Sequence, residues 1–307
     1  MSHRLALVIA TRDRPALLRR LLESVAGQSC LPAQVIIVDA RSTVGASWRA
    51  SFPQLNLCEI KTSRRGLTRQ KNLGVSALEP RISLVGFLDD DMVLERGAIE
   101  AMLRYWEGCP EEVGGAAFNV VTPAPERSRL VRWFWKTFLI HDGSSGLVLR
   151  SGYNTPITNA REIRFVEWLN GGSTVWRRAV VEAHRFEEWF ERNGLCEDVH
   201  YSLQLSKRYK LAVVAQARVH HLEAPPTLLG DYLQGRAQIL NRLYVVRNNP
   251  GLSELLCWWA LAGQLLTNAV GGAVKLDTGR LMRGLGNVVG GIEAMVRTVV
   301  QHRGRSV

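Results

Sequence analysis

Cysteine is scarce and scattered. The five copies, Cys30, Cys58, Cys109, Cys196 and Cys257, are odd in number and never form a Cys-x-x-Cys pair. That excludes a structural zinc ribbon and a disulfide framework, and it fits a reducing compartment. The first ten residues lack a signal-peptide layout and run straight into an apolar segment, so a cytoplasmic chain is expected. No internal repeat, no low-complexity tract and no long block of Lys or Arg is present. With no nucleic-acid motif either, the net charge of +11 does not make nucleic acid an expected partner. No Gly-x-Gly-x-x-Gly follows the first apolar segment, which argues against a Rossmann dinucleotide site.

What is present is an ordinary globular balance, with 46% hydrophobic and 22% charged residues over 307 positions. That is enough for one large or two smaller domains with a sizeable core. Arg far outnumbers Lys, and a basic surface suits anionic lipid or phosphorylated substrates.

The central stretch is Leu84–Val85–Gly86–Phe87–Leu88–Asp89–Asp90–Asp91–Met92. Ile82 to Leu88 is apolar and of strand length, so it reads as a buried strand. After it, Ile99, Met102, Leu103 and Trp106 share a helical face. The three acids therefore stand at the carboxyl end of a strand, where open α/β sheets bind ligands. Adjacent carboxylates repel one another, and a divalent cation carrying phosphates would offset that repulsion. The plain alternative is an acidic turn.

The N-terminal segment repeats the same logic. Leu5 to Ala10 reads as a strand and Thr11 to Pro15 as a loop, with Thr11 or Asp13 available as a cap and Pro15 in the first helical turn. Leu17, Leu18, Leu21, Leu22 and Val25 give a helical face, and Gln34 to Val38 gives a second strand ending at Asp39. This is a βαβ unit with parallel strands. Further strands are expected at 56–61, 113–121, 173–176 and 211–219. A helix is expected at 68–78, in the segment Gly66–Leu67–Thr68–Arg69–Gln70–Lys71–Asn72–Leu73–Gly74. Its cationic start, with Arg69 and Asn72, suits a phosphate or sugar as well as it suits a solvated basic helix.

In this order, the βαβ unit ending in Val38–Asp39, the Gly66 to Gly74 segment and Leu88–Asp89–Asp90–Asp91 resemble the inverting family 2 glycosyltransferases with the GT-A fold. The resemblance implies an α/β fold with a single mixed sheet flanked by helices, followed here by a C-terminal helical region. It implies sugar transfer from a nucleotide-diphosphate sugar donor to a hydroxyl of a glycan or lipid-linked acceptor, in envelope or surface glycan synthesis. Thr11, Asp13, Arg14 and Asp39 would hold the nucleotide, with Arg69, Asn72, Asp89 and Asp90. Asp91 and Asp89, as the Asp-x-Asp pair, would bind Mg2+ or Mn2+ on the diphosphate.

Two later segments extend the resemblance. Gly171 and Gly172 permit close backbone approach to a ligand, and in the family such a loop lies beside donor sugar and acceptor. Gly194–Leu195–Cys196–Glu197–Asp198 precedes a helix, where either acid suits the N-terminus electrostatically. By the family match Asp198 is the general base, and Glu197 positions the acceptor or orients Asp198. His221, in Val-x-His-Leu, matches a late histidine that several GT-A enzymes use as a further metal contact.

The expected division is a catalytic domain over residues 1–225 and a helical appendage over 226–307, after Pro225–Pro226. In the appendage Leu229, Leu233, Ala237, Leu240 and Tyr244 share a helical face. Leu255 to Val274 is the most apolar stretch. It contains Gln264, Thr267 and Asn268, and Trp258–Trp259 suits an interface, so it reads as an interfacial or packed helix rather than a span. The aromatic stretch 130–140 reads as a core or inter-element helix, ahead of one that covers the active site or touches a membrane surface. An anionic membrane surface, on the inner face of the plasma membrane, is the expected peripheral partner. Two other functions stay open at this point, a nucleotidyltransferase-type metal enzyme and a non-catalytic membrane-attached scaffold.

Overall fold

The computed structural model describes residues 3–40, 47–123, 128–190, 194–222 and 227–303. The chain divides into two compact units, one of residues Met1–Ala124 with Pro156–Glu223, the other of Pro125–Thr155 with Ala224–Val307. The sequence division at 225/226 placed segment 125–155 with the first unit, whereas its contacts group it with the C-terminal helices.

The first unit begins as the apolar runs dictate. Strand β1 (Leu5–Thr11) and strand β2 (Gln34–Asp39) are almost wholly buried and pair in parallel, joined by helix α1 (Pro15–Ala26). Helix α1 buries Leu18, Leu21, Leu22 and Val25 on one face and starts with Pro15. Its N-cap is Arg14, with no capping side chain. Neither Thr11 nor Asp13 serves as the cap; the Thr11 hydroxyl is engaged by Asp90.

Strand β3 (Leu57–Lys61) extends the sheet beside β2, and β4 (Leu84–Asp89) lies on the other side of β1. Helix α2 (Leu67–Val75) precedes β4 and is shorter than the expected 68–78. Strand β5 (Met92–Leu94) and helix α3 (Ala98–Gly108) follow. Strand β6 (Val113–Val121) is next in this unit. The chain re-enters it through β7 (Arg164–Val166), β8 (Ser173–Arg177), helix α5 (Arg178–Ala183), helix α6 (Glu197–Leu205) and β9 (Lys210–His221). The order across the sheet is β3-β2-β1-β4-β8-β6-β9-β5, with β7 on β9. Strand β8 is antiparallel to both its neighbours, β4 and β6, so the sheet is mixed. One apolar cluster joins α1 and α3 to one face, and another joins α5 and α6 to the opposite face. Strands β5 and β7 went unforeseen because three residues carry no measurable alternation.

The second unit contains α4 (Arg129–Thr137), α7 (Leu228–Arg247), α8 (Glu254–Lys275) and α9 (Thr278–Arg303). The expectation that 130–140 packs as a core or inter-element helix holds in part: α4 has no fully buried residue, yet Trp135 packs against the apolar cluster of this unit and Ile140, just beyond the helix, is buried in it. Arg129, Arg132 and Lys136 interleave its aromatics and keep the helix at the surface, with Leu130 72% and Trp133 64% exposed. Helix α7 also differs. Its buried line runs through Asp231, Gly235, Ile239 and Leu243, whereas Leu229 is exposed. The apolar spacing named the wrong face because glycine and paired charge share its contact with α9 with Ile239 and Leu243. No described helix is long and apolar enough to cross a membrane.

Candidate active site

The register of the sheet assembles the site. Pairing of Ala10 with Asp89 brings the residue after each strand position together, so Thr11 lies beside Asp90. The Thr11 hydroxyl donates to Asp90 Oδ2 at 2.7 Å. Arg14 Nη1 reaches Asp90 Oδ1 at 3.3 Å and Asp91 Oδ2 at 3.1 Å. Asp90 is thus a buried clamp on the loop between β1 and α1. Burial pushes its carboxyl up to about 6 against the opposing pull of Thr11 and Arg14. On the far side, Met92 pairs with His221 across β5 and β9. Asp91 and His221 are therefore neighbours, with Nε2 3.3 Å from Asp91 Oδ1. The Leu222 N–H donates to the Asp91 carbonyl at 2.8 Å.

A second cluster forms around a buried lysine. Lys71 projects from α2 and donates to Glu197 Oε1 at 2.5 Å and to the Gly171 carbonyl at 2.9 Å. Only 3% of the Lys71 side chain and 4% of the Glu197 side chain are exposed. Burial by itself pulls the Lys71 ammonium down, yet Glu197, Asp89 and Asp198 together hold it above the ordinary lysine value. Burial pushes Glu197 up to about 7, opposed by Lys71 and reinforced by Asp198. Asp89 is raised by burial too, lowered by Lys71, and raised by both Asp91 and Asp198. Asp89 is the electrostatic link between the two clusters, since the charges of Asp91, His221, Lys71 and Asp198 all act on it.

Glycines 171 and 172 are required by crowding. A Cβ on Gly172 would strike the Asp89 carboxylate, and one on Gly171 would strike Glu197 Oε1. The Gly172 carbonyl accepts from the Asp89 N–H at 3.0 Å, which fixes the loop ahead of β8. The Gly171 N–H donates to Asp198 Oδ2 at 3.2 Å, and the Val199 N–H donates to Asp198 Oδ1 at 2.8 Å. Asp198 is half-buried at the start of α6, the positive end of the helix dipole. Neither acid is the N-cap of this helix, which is Cys196 in a left-handed conformation.

Asp89, Asp90, Asp91, Thr11, Arg14, His221, Gly171, Gly172, Glu197 and Asp198 are therefore brought together. Asp39 is buried at the end of β2, where its carbonyl accepts from the Thr62 N–H. Asp13 is exposed, at φ 55°, beside Arg12. Arg69 and Asn72 have a different setting. Asn72 exchanges hydrogen bonds with the Phe186 backbone, and Arg69 pairs with Glu188 at 2.9 Å. Both line a cavity of about 250 Å³ with Thr62, Arg64, Arg185 and Glu188, and none of the clustered acids lines it. Sequence reasoning missed Lys71 and Gln70. Gln70 ties α2 to the sheet by donating to the Thr11 and Val38 carbonyls at 3.0 and 2.7 Å.

The family model described as Glycosyl transferase family 2 matches residues 6–156. No curated protein matches the chain. Among solved structures, the mannosyltransferase PcManGT from Pyrobaculum calidifontis, in complex with GDP-Man and Mn2+, is 14% identical, with a TM-score of 0.59 over 96% of this chain and 88% of that one. The 1-349 portion of S. aureus TarS, in complex with UDP-GlcNAc, is 13% identical, with a TM-score of 0.55 over 88% and 74%. GalNAc-T7 with UDP, GalNAc and Mn2+ is 12% identical, with a TM-score of 0.55 over 90% of this chain and 58% of that one. At these identities the likeness is one of fold. The chain thus carries a glycosyl transferase family 2 match over residues 6–156, from β1 past β6, with a mixed sheet of the GT-A kind complete behind it.

Proposed function

We propose that the chain transfers a sugar with inversion from a nucleoside diphosphate sugar to an acceptor hydroxyl, with Asp198 as general base. The supporting observation is the state of its two carboxylates. Glu197 is buried and committed to Lys71, whereas Asp198 is half-exposed and anchored by two backbone N–H groups. Those donors fix the direction of the carboxylate, as a base needs. The acceptor oxygen forms its bond to the anomeric carbon, and its proton goes to Asp198. The bond from that carbon to the diphosphate breaks with the electron pair leaving on the diphosphate. Thr11, Asp13, Arg14 and Asp39 hold the nucleotide in this reading, and Gly171 and Gly172 let the loop close on Glu197 and Asp89 beside the sugar. The acceptor is a glycan or lipid-linked hydroxyl of envelope or surface glycan synthesis.

The fold family implies Mg2+ or Mn2+, and the residues fit. Asp91 Oδ1 is buried, makes no hydrogen bond, and has the His221 imidazole beside it. Among the described residues no group of three His, Cys, Asp or Glu forms a cage. A hard cation held by one or two side chains and completed by diphosphate and water matches that donor set. Asp91 and His221 would hold it, with Asp89 behind them. Such an ion, when bound, offsets the charge of the departing diphosphate.

The test is thermal unfolding with UDP, GDP, dTDP and CMP, each with and without Mn2+. A ligand at about a hundred times its dissociation constant stabilises by about 2.7 kcal/mol. A Mn2+-dependent rise with one nucleotide, abolished by Asp91→Ala and retained by Asp198→Asn, is the expected result. No rise with any nucleotide would refute the proposal.

A further inference from the structure

The helices of the second unit are partly inside out. Where α7, α8 and α9 meet, an apolar cluster of Ile239, Leu243, Cys257, Leu261 and Ala294 gives way to a polar, glycine-lined stretch. Asn268 donates to Asn287 at 2.7 Å, and Asn287 donates to the Gly235 carbonyl at 2.7 Å and to Gln238 at 3.0 Å. Gly235 and Gly286 lie so close to the opposing backbone that a Cβ at either would collide with the carbonyl of Arg283 or of Tyr232. Small residues and interhelical hydrogen bonds are how helices associate where the surroundings are themselves apolar.

The outside shows the reverse. Along α8 the exposed positions include Leu255, Trp259, Ala262, Leu266, Val270 and Val274, a stripe at helical spacing without a charge. Along α9 they include Leu281, Leu285, Val288, Ile292, Met295 and Val296, again apolar. The two helices pack side by side, with Gly272 against Leu281 and Asn268 against Asn287. Two neighbouring stripes form a larger apolar surface than scattered surface leucines do.

The charges around it select the occupant. Each acid on α7 to α9 is already paired with arginine: Asp231 with Arg283, Glu254 with Arg247, Asp277 with Arg280, and Glu293 with Arg236. Helix α4 reaches this surface through Phe138, which stacks on Trp259 at 4.7 Å, and through the Thr137 carbonyl, which accepts from the Trp259 indole. It carries exposed Arg129, Arg132 and Lys136 and no acid. A second copy meeting this face two-fold would set like cations against one another. An anionic lipid surface instead takes apolar side chains between its headgroups and draws in the cations.

We propose that the α8 and α9 stripes insert in-plane into the headgroup region of an anionic bilayer, with the cations of α4 at the lipid phosphates. Trp133 and Trp259 suit the same depth.

The test is sedimentation of the full chain with vesicles of phosphatidylcholine, alone or mixed with phosphatidylglycerol. Binding to the mixed vesicles is expected. The triple variant L266E/V288E/I292E alters exposed positions only, and it should weaken binding roughly a hundredfold at unchanged melting temperature. A second variant, R129E/R132E, should lose the preference for phosphatidylglycerol. Absence of vesicle binding, or binding equal in the triple variant and the parent, would overturn the proposal. So would a dimer, seen by light scattering, that the glutamates split in a chain indifferent to vesicles.

Discussion

Replacing Lys71 with methionine keeps the stem of the side chain and removes its charge. Glu197 is then left buried with no cation, beside Asp89 and Asp198. Breaking a buried pair in this way costs about 3–5 kcal/mol, which lowers the melting temperature of a unit this size by about 6–20 °C. The cost has an escape route. Glu197 can take up a proton, because burial already pushes it up to about 7 with the lysine in place, and losing Lys71 raises it further. Its unfolded value is near 4.5. In the parent, the stability tied to Glu197 is fully present below about pH 4.5, is lost as pH climbs through about 7, and is level above that. In Lys71→Met the decline continues above 7 at about 1.4 kcal/mol per pH unit. Keeping Glu197 protonated costs about 4 kcal/mol more at pH 8.5 than at pH 5.5. The deficit of the variant should therefore be larger at the higher pH by about 2 kcal/mol, or about 4–8 °C. Thermal unfolding of both proteins at the two pH values measures it. Adding Glu197→Gln to the variant removes the stranded charge and should recover stability at high pH. An equal deficit at both pH values, or a double variant less stable than Lys71→Met alone, would refute the argument.

Asp198→Asn should reduce sugar transfer by about 10²–10⁴-fold and leave nucleotide affinity within a factor of about three, as read by calorimetry beside a transfer assay. Gly172→Ala drives a Cβ into the Asp89 carboxylate, and overpacking of that kind costs about 1–3 kcal/mol; an unchanged melting temperature would contradict the crowding. Thr11→Val leaves Asp90 Oδ2 without its hydroxyl donor, a loss of about 1–3 kcal/mol. Because Asp90 titrates near 6, that loss should be greater at pH 8 than at pH 5, and urea unfolding at the two values reads it.

The parts of the fold legible in the sequence are those whose residues face one environment throughout. Strands β1, β2 and β4 are buried on both faces and read as apolar runs, and the acids at their ends stand out because they interrupt those runs. The separate settings of Asp89, Asp90 and Asp91 were not legible. Whether each meets Lys71, Thr11 or His221 depends on register with strands up to 130 positions away. Lys71 was hidden for the same reason. A helix that starts Thr-Arg-Gln-Lys-Asn reads as solvated until Glu197 and Gly171 arrive over it. In α7 the spacing of leucines pointed to the wrong face, because hydrophobic periodicity assumes an apolar interior and this interface adds glycine and paired charge to Ile239 and Leu243.

Three attachments of α2 are remote in sequence. Lys71 meets Glu197 across 126 residues, Thr68 meets the Phe190 carbonyl across 122, and Asn72 meets Phe186 across 114. Closing a loop of that length costs about 4 kcal/mol of chain entropy, and nearer ties run from Gln70 to the Thr11 and Val38 carbonyls across 59 and 32 residues. If α6 detaches, the Lys71 ammonium loses its Glu197 partner, and Glu197 and Asp198 together lose the neutralising charge of Lys71. The two helices should therefore open as one cooperative unit at a free energy below that of global unfolding. Native-state hydrogen exchange should find 67–75 and 197–205 exchanging in concert while β1 and β4 stay protected. Separate exchange of the two segments would argue against this coupling. The charge balance that shapes the floor of the site would thus also set how often the chain transiently releases it.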